Sequence, residues 1–290
     1  MNVGIEYLST LRNDLKDISY DKIYEIISEI KYKAVPTALL HSGRYINRVR
    51  INEEPNEIYS NIKKISYNSQ AESVNKIDFG RANIPKQSIF YGSVDLNKNL
   101  NDSLMTAYFE TSQLQKNIDQ YDNVEEVFTL GRWRVLSEIK ILEKIFCKEA
   151  LAVNEQVQQS FNAQLKKIKS KPLLFEYYKR QLEFFSDEFA RNDIGRDESF
   201  KYKISSAYVN YMWNCEKFKL WGVTYPSVMN NYVGQNVALK PEAVDKYLTL
   251  EEVYMFKFER INKENLPIKC IKLATDLGEN QMKFKWKDFI

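Results

Sequence analysis

The chain has 290 residues, of which 44% are hydrophobic, which predicts a sizeable core in one large domain or two small ones. Charged residues make up 28% and nearly balance, leaving a formal net charge of +3. So small an excess argues against broad electrostatic capture of nucleic acid, and we expect no direct nucleic-acid partner.

Histidine and cysteine are scarce, which limits the kinds of site this chain can build. The one histidine, His41, excludes zinc sites built on several histidines and argues against a Ser-His-Asp hydrolase. The isolated Cys147, Cys215 and Cys270 form no disulfide framework. No run of about 18 apolar residues and no signal-peptide pattern is present. We therefore expect a reduced, cytoplasmic protein with no metal site and no membrane segment.

The first 40 residues predict a helical N-terminal extension. Four isoleucines between 23 and 30 recur at helical spacing, and Asp21 is placed to cap that segment. Pro36 is expected to end the region, because proline disrupts a helix interior. No internal repeat and no Pro/Gly/Ser-rich linker divides the rest, so residues 41–290 are expected to form one domain.

A strand with paired arginines is predicted at 45–51. Its two-residue alternation places Arg48 and Arg50 on one face, with Val49 and Ile51 on the other. Two guanidinium groups on one face suit a pyrophosphate, because their forked donors match phosphate oxygens in pairs. The alternative is a solvated edge strand whose charges discourage aggregation, and the pattern alone favours that alternative.

A turn and a short buried strand follow. Gly80, Arg81 and Asn83 precede a strand at 88–93 that contains Tyr91. The turn suits the rim of a cleft, where it would supply an arginine and an amide. Glycine and asparagine also tolerate positive φ, so an ordinary turn explains the same residues.

A helix carrying Glu110 is predicted after a turn at 97–101, with Asp102 or Ser103 as its cap. Glu110 lies at the flank of the apolar face, a position that suits either a cleft edge or plain solvation. From about Glu125 to Asp193 the pattern is mostly helical. We therefore expect a helical insertion within the domain, at about 115–195, that ends before Gly195.

The last third of the chain is richer in strands. One predicted strand ends in Tyr-Pro-Ser at Ser227, and another begins near Asn236. A serine at a strand end can bind a ligand, although Pro-Ser is also common in turns. Aromatic and charged residues alternate at 254–259 and 282–287, which is typical of half-buried strands. Helices in the first two thirds with strands at both ends predict an α+β fold.

Taken in order, these segments resemble the RES-domain family, named for an arginine, a glutamate and a serine. No single motif is specific, but five of them occur in the family's order between about 44 and 260. The motifs are Arg48-Val49-Arg50, Gly80-Arg81-Ala82-Asn83, Phe90-Tyr91-Gly92-Ser93, Ala107-Tyr108-Phe109-Glu110, and Gly222 to Ser227 followed by Gly234 to Asn236.

The resemblance implies a fold similar to the ADP-ribosyltransferase toxins, in which a pair of small packed sheets holds NAD in a cleft. Members of the family degrade NAD, commonly as toxins whose partner is an Xre-type antitoxin protein. The namesake residues carried onto this chain are Arg48, Glu110 and Ser227, with Arg50 and Arg44 as rivals for the arginine. The residues expected to bind NAD are Arg48, Arg50, Arg81, Tyr91 and Asn236.

The implied reaction is cleavage of the nicotinamide–ribose bond by water or phosphate, with NAD as substrate and no other cofactor. Glu110 would stabilise an oxocarbenium-like transition state. Arg48 and Arg81 would neutralise the pyrophosphate, Ser227 would position the nicotinamide end, and Tyr91 would pack against a ring. Two alternatives are ADP-ribosylation of a protein or nucleic acid, and a non-catalytic binding module.

Overall fold

A computed structural model of the chain describes residues 3–54, 56–95, 100–116, 124–169, 172–195, 197–260 and 267–289. The strands within these ranges are β1 (Thr37–Leu40), β2 (Tyr45–Ile51), β3 (Phe90–Val94), β4 (Val124–Val135), β5 (Ile139–Glu143), β6 (Gly222–Pro226), β7 (Gln235–Leu239), β8 (Leu248–Arg260), β9 (Ile268–Asp276) and β10 (Lys285–Asp288). The α-helices are α1 (Val3–Thr10), α2 (Tyr20–Glu29), α3 (Ile62–Ile65), α4 (Ala71–Asn75), α5 (Leu100–Thr111), α6 (Gln113–Lys116), α7 (Lys148–Val153), α8 (Glu155–Ile168), α9 (Pro172–Phe189), α10 (Lys203–Asn214) and α11 (Pro241–Tyr247).

Hydrogen bonds join these strands into one open, mixed sheet in the order β1-β5-β6-β7-β3-β2-β4-β8-β9-β10. Only β5 and β6 run parallel, and the other described neighbours are antiparallel. The predicted α+β class is confirmed. In place of the expected pair of small sheets, the strands form a single sheet, because β3 pairs with both β7 and β2.

The sheet is narrowest at the junction of β2 and β3. Among the described residues two register pairs join them, Ile46 with Val94 and Asn47 with Ser93, and the backbone N–H of Asp95 also donates to the carbonyl of Tyr45 at 2.9 Å. Beyond Asn47, β2 remains paired with β4 on one edge, and β3 remains paired with β7. The two strands therefore diverge and leave a gap between the half β1-β5-β6-β7-β3 and the half β2-β4-β8-β9-β10.

Different helices cover the two halves. The N-terminal helices pack with α9 and α10 against β6, in a core that includes Leu8, Ile27, Phe185, Tyr208 and Val223. Helix α5 packs mainly against β2 of the other half and reaches across the junction to β3 and β7. The ring of its Tyr108 stacks on Phe128 of β4 with 4.4 Å between centroids. No helix in the described ranges is long and apolar enough to cross a membrane.

The N-terminal region is built into the main fold. Its predicted helices are present, although Ser19 caps α2 in place of Asp21, accepting a hydrogen bond from the backbone N–H of Lys22 at 3.2 Å. The last residues of the expected extension, up to Leu40, form β1, which pairs with β5. Residues 3–40 thus contribute both a strand and core helices to the fold.

The predicted helical stretch from Glu125 to Asp193 is wrong in its first part, which forms β4 and β5. Strand β4 lies between β2 and β8 and is buried on both faces over much of its length. A strand buried on both faces shows no alternation, so its sequence cannot be told from a buried helix. The helices of the insertion run from α7 to the end of α9.

The bounds of several other elements match the prediction in one case and differ from it in others. Strand β2 has the predicted bounds, whereas Asp102 and Ser103 lie inside α5 and do not cap it. The turn predicted at 97–101 lies mostly outside the described residues. Strand β10 begins at Lys285, so Met282 and Phe284 precede it, and Phe284 is buried in the core.

Candidate functional site

A cleft of about 510 Å³ opens in the gap between β2 and β3. Its walls come from the free edge of β2, from β3 and from one face of α5, with contributions from β6 and β7. The predicted site residues that line it are Arg48, Arg50, Tyr91, Glu110 and Asn236. The gap in the sheet therefore brings together residues from four of the five motifs.

Glu110 and Ser227 meet beside this cleft. The Ser227 hydroxyl donates a hydrogen bond to Oε1 of Glu110 at 2.6 Å, and the backbone N–H of Met229 approaches the same oxygen at 3.5 Å. Ser227 is fully buried, and its hydroxyl also accepts a bond from the backbone N–H of Asn230. The serine thus faces the carboxylate and does not line the cleft. Both of these contacts of Glu110 are made to Oε1.

The loop after Ser227 holds this pair in place. The backbone N–H of Tyr232 donates to the carbonyl of Ser227 at 2.8 Å, closing the loop on itself. Asn231 and Tyr232 have φ of 46° and 64°, a left-handed conformation that is unusual for residues other than glycine. The Asn230 side chain donates to Thr106 of α5 at 2.7 Å. These two hydrogen bonds hold the loop against the helix that carries the glutamate.

Arg48 lies half-buried at the mouth of the gap. Its Nη1 donates to the carbonyl of Tyr91 at 2.5 Å, where the two diverging strands no longer pair, and its guanidinium lies 5.2 Å from the ring centre of Phe90. Its Nε is buried and has no hydrogen-bond partner among the described residues. Burial, together with the charge of Arg50, lowers the pKa of Arg48 to about 9, so the group remains protonated at neutral pH. A solvated edge strand does not explain this environment.

Arg50 occupies the other end of the cleft. Its guanidinium donates to Oδ1 of Asn68, and burial lowers the pKa of Arg50 while Tyr59 and nearby carboxylates oppose that shift. The Tyr59 hydroxyl donates to the carbonyl of Ile51 at 2.8 Å, which turns its ring toward the cleft wall. The hydrogen bond from Arg50 thus goes to a neutral amide, and its positive charge remains available to a ligand.

Asn236 presents an unused donor in the cleft. Its Oδ1 accepts a hydrogen bond from the Ser93 hydroxyl at 2.8 Å, which fixes the orientation of the amide. Its Nδ2 is buried and has no partner in the described part of the chain. A buried donor without an acceptor costs about 1–3 kcal/mol, which an acceptor atom of a bound ligand would recover.

Arg81 is placed away from the cleft lining. Its guanidinium donates to the carbonyls of Phe189 and Arg191, at 2.6 and 3.0 Å, just where α9 ends. Burial lowers the pKa of Arg81, but neighbouring phenol groups and Glu110 outweigh it, so the net shift is upward. Arg81 thus holds the end of α9 in place behind the site. Its charge also interacts electrostatically with Glu110.

Tyr91 connects the Gly-Arg-x-Asn turn to the cleft. Its hydroxyl donates to Oδ1 of Asn83 at 2.8 Å and accepts a bond from the backbone N–H of Ala82 at 3.0 Å. Burial raises the pKa of Tyr91 well above its ordinary value, so the hydroxyl stays protonated. The turn therefore has a structural task, namely to orient the ring that lines the cleft.

Other lining residues were not singled out from the sequence. Tyr225 is the first residue of the Tyr-Pro-Ser motif, so that motif could have indicated it as a site residue. Tyr59 and Glu53 come from the polar segment after β2, where no pattern marks them. No group of three or more His, Cys, Asp or Glu side chains within the described ranges is arranged to hold a metal ion.

No model of a known protein family matches the chain, and no curated protein matches its sequence. The geometry therefore has to define the class of site by itself. It is an open cleft between two half-sheets whose described lining offers two carboxylates, Glu110 and Glu53, two guanidinium groups and one buried amide donor. Such a set suits an anionic ligand with a polar reacting group at one end.

Proposed function

We propose that this protein consumes NAD by cleaving the bond between nicotinamide and ribose, as the resemblance to the RES-domain family implies. One observation carries the proposal. Glu110 and Ser227 lie 117 positions apart in the chain, yet they share a hydrogen bond of 2.6 Å at a cleft that Arg48 also lines. Two of the three residue types that name the family thus line one space large enough for a small molecule, and the third, the serine, is bonded to the glutamate from behind.

The shape of the sheet supports the same proposal. We infer that the two halves, joined by two residue pairs, correspond to the pair of small packed sheets of the ADP-ribosyltransferase toxins. In that arrangement NAD would lie in the gap between β2 and β3. In this gap strand edges, carboxylates and arginines face a common space.

The arginines account for binding. Arg48 and Arg50 project from one face of β2 and can both reach a pyrophosphate, whose oxygens match their paired donors. Within the described part of the chain, Nε of Arg48 and Nδ2 of Asn236 have no hydrogen-bond acceptor. The phosphates, hydroxyls and carboxamide of a dinucleotide would supply acceptor atoms for both donors.

The carboxylate accounts for reaction. As the bond between C1′ and the nicotinamide nitrogen breaks, its electron pair leaves with nicotinamide and positive charge develops on the ribose. Oε2 of Glu110, held in place through the hydrogen bond of Oε1 with Ser227, stabilises that charge. A water oxygen then bonds to C1′, and Glu110 accepts the proton that the water loses and passes it to solvent.

Products formed from NAD labelled in its ADP-ribose part test this proposal. Free label as ADP-ribose, or as its phosphorylated form when phosphate is supplied, supports cleavage by water or phosphate. Label on protein or nucleic acid would favour the ADP-ribosyltransferase alternative, which shares the first step. The absence of nicotinamide release would refute the proposal in favour of a binding module. An Xre-type antitoxin is the proposed partner, and it should suppress nicotinamide release when mixed with the protein.

A further inference from the structure

The cleft is chemically different at its two ends. At one end, Tyr225 lies near both Glu110 and Arg48; at the other, Arg50 lies near Tyr59 and Glu53. Arg48 and Arg50 are two residues apart on one strand, which separates their backbones by about 7 Å. If the reacting ribose lies at Glu110 and the pyrophosphate at the arginines, the adenosine lies beside Tyr59 and Glu53.

The charges in the cleft fit a dinucleotide with no additional phosphate. Arg48 and Arg50 are the cationic residues among the described lining residues, and they match the two negative charges of a pyrophosphate. Beyond Arg50 the cleft offers Glu53, and Glu57 lies next to it, accepting a hydrogen bond from the Glu53 backbone N–H at 2.8 Å. No described lysine or arginine lines that end to receive a third phosphate.

We propose that Glu53 makes the site selective for NAD over 2′-phosphorylated NADP, an inference that rests on the proposed function. A carboxylate can accept a hydrogen bond from the 2′-hydroxyl of the adenosine ribose, as acidic residues do in other dinucleotide sites. A 2′-phosphate would instead bring a charge of about −1.5 to −2 next to Glu53 and Glu57. The repulsion lowers the affinity for NADP and leaves the chemistry at Glu110 unchanged.

Kinetics with the two dinucleotides test the inference. We expect the unmodified protein to favour NAD in kcat/KM by at least about fivefold, with the difference mainly in KM. Glu53→Gln should narrow that ratio by about threefold, a modest change because Glu53 is exposed to solvent. The matched control is Glu54→Gln, which removes an exposed neighbouring charge that does not line the cleft and should leave the ratio unchanged.

Equal use of NAD and NADP, or a ratio that Glu53→Gln leaves as it was, overturns the inference while NAD cleavage stands. Failure to release nicotinamide from either dinucleotide would instead refute the proposed function. In that case, calorimetric binding of NAD and NADP to the unmodified protein and to Glu53→Gln still decides the role of Glu53. Tighter binding of NAD than of NADP, with a smaller difference in Glu53→Gln, would support that role. Equal binding of the two dinucleotides by the unmodified protein would contradict it.

Discussion

The hydroxyl of Ser227 lies 2.6 Å from Oε1 of Glu110, and this hydrogen bond joins the loop after β6 to helix α5. Helix α5 packs mainly against β2 and also contacts β3 and β7, so it lies across the junction of the two halves of the sheet. The orientation of the carboxylate therefore depends on how the loop after β6 is placed against α5.

Replacing Ser227 with alanine should lower kcat for NAD cleavage by about tenfold, with a smaller change in KM. The substitution removes the bond that orients Glu110, and Ser227 itself is buried behind the carboxylate. Steady-state kinetics measure both quantities. The control is Ser205→Ala, which removes another buried serine hydroxyl, bonded to the carbonyl of Tyr202, and should leave kcat unchanged. Equal losses of kcat in the two variants would contradict the positioning role.

Replacing Arg48 with methionine should weaken NAD binding at least tenfold, or about 1.4 kcal/mol. The variant keeps most of the side-chain volume and removes the charge and the unpartnered Nε. Calorimetry or fluorescence titration measures the affinity. Arg44→Met is the control, because Arg44 donates to the carbonyl of Asp95 and does not line the cleft. A larger loss in the Arg44 variant would reverse the assignment of the arginine.

Replacing Gly92 with alanine should destabilise the fold by about 1–3 kcal/mol. A Cβ atom there would lie 2.7 Å from Cγ2 of Ile46 and 3.0 Å from the carbonyl oxygen of Asn47, at the narrow junction of β2 and β3. Urea unfolding measures the change. Gly195→Ala is the control, since the nearest atoms to its Cβ would belong to the flexible side chain of Glu198. Near-equal stabilities of the two variants would count against a tight junction.

The protein should become more stable as the pH rises above neutrality, because the buried Lys144 then loses its charge in the folded state. The side chain is fully buried, its Nζ has no hydrogen-bond partner in the described residues, and it lies 4.5 Å from the ring centre of Tyr208. Burial lowers the pKa of Lys144 to about 7. Between about pH 7 and pH 10 the unfolded chain holds a proton that the folded chain has lost, so the free energy of unfolding rises through that window.

The variant Lys144→Met isolates this contribution. Methionine fills a similar volume without a charge, and we expect it to stabilise the fold by about 1–3 kcal/mol near pH 7. The gain should shrink toward pH 10, where the native lysine is neutral in both states. Unfolding curves of the two proteins at several pH values measure the difference, and a gain that does not vary with pH would show that the amine is not desolvated.

Much of the site could be predicted from local sequence patterns, because its residues lie on short elements with clear signals. The alternation in β2 gave its bounds and the shared face of Arg48 and Arg50, and the helical pattern predicted the helix that carries Glu110. The Tyr-Pro-Ser segment marked the end of a strand one residue before Ser227. These features depend on neighbours in sequence, where propensity and periodicity are informative.

The features that could not be predicted depend on distant contacts. The sequence of strand β4 shows no alternation of apolar and polar residues, because β2 and β8 flank the strand and both its faces are buried. Arg81 was expected at the pyrophosphate, but its donors are used by carbonyls that lie more than 100 positions later in the chain. Ser227 was expected to contact the ligand, and only the fold shows its hydroxyl directed at Glu110.

The release of nicotinamide from NAD by the unmodified protein and by Glu110→Gln tests the central claim most directly. Glutamine preserves the size of the side chain and can still bond with Ser227, but it carries no negative charge to stabilise the ribose cation. We predict release by the unmodified protein and a rate more than about tenfold lower in the variant, or over 1.4 kcal/mol of barrier, with unchanged circular dichroism. Equal rates in the two proteins, or no release from either, would contradict the account.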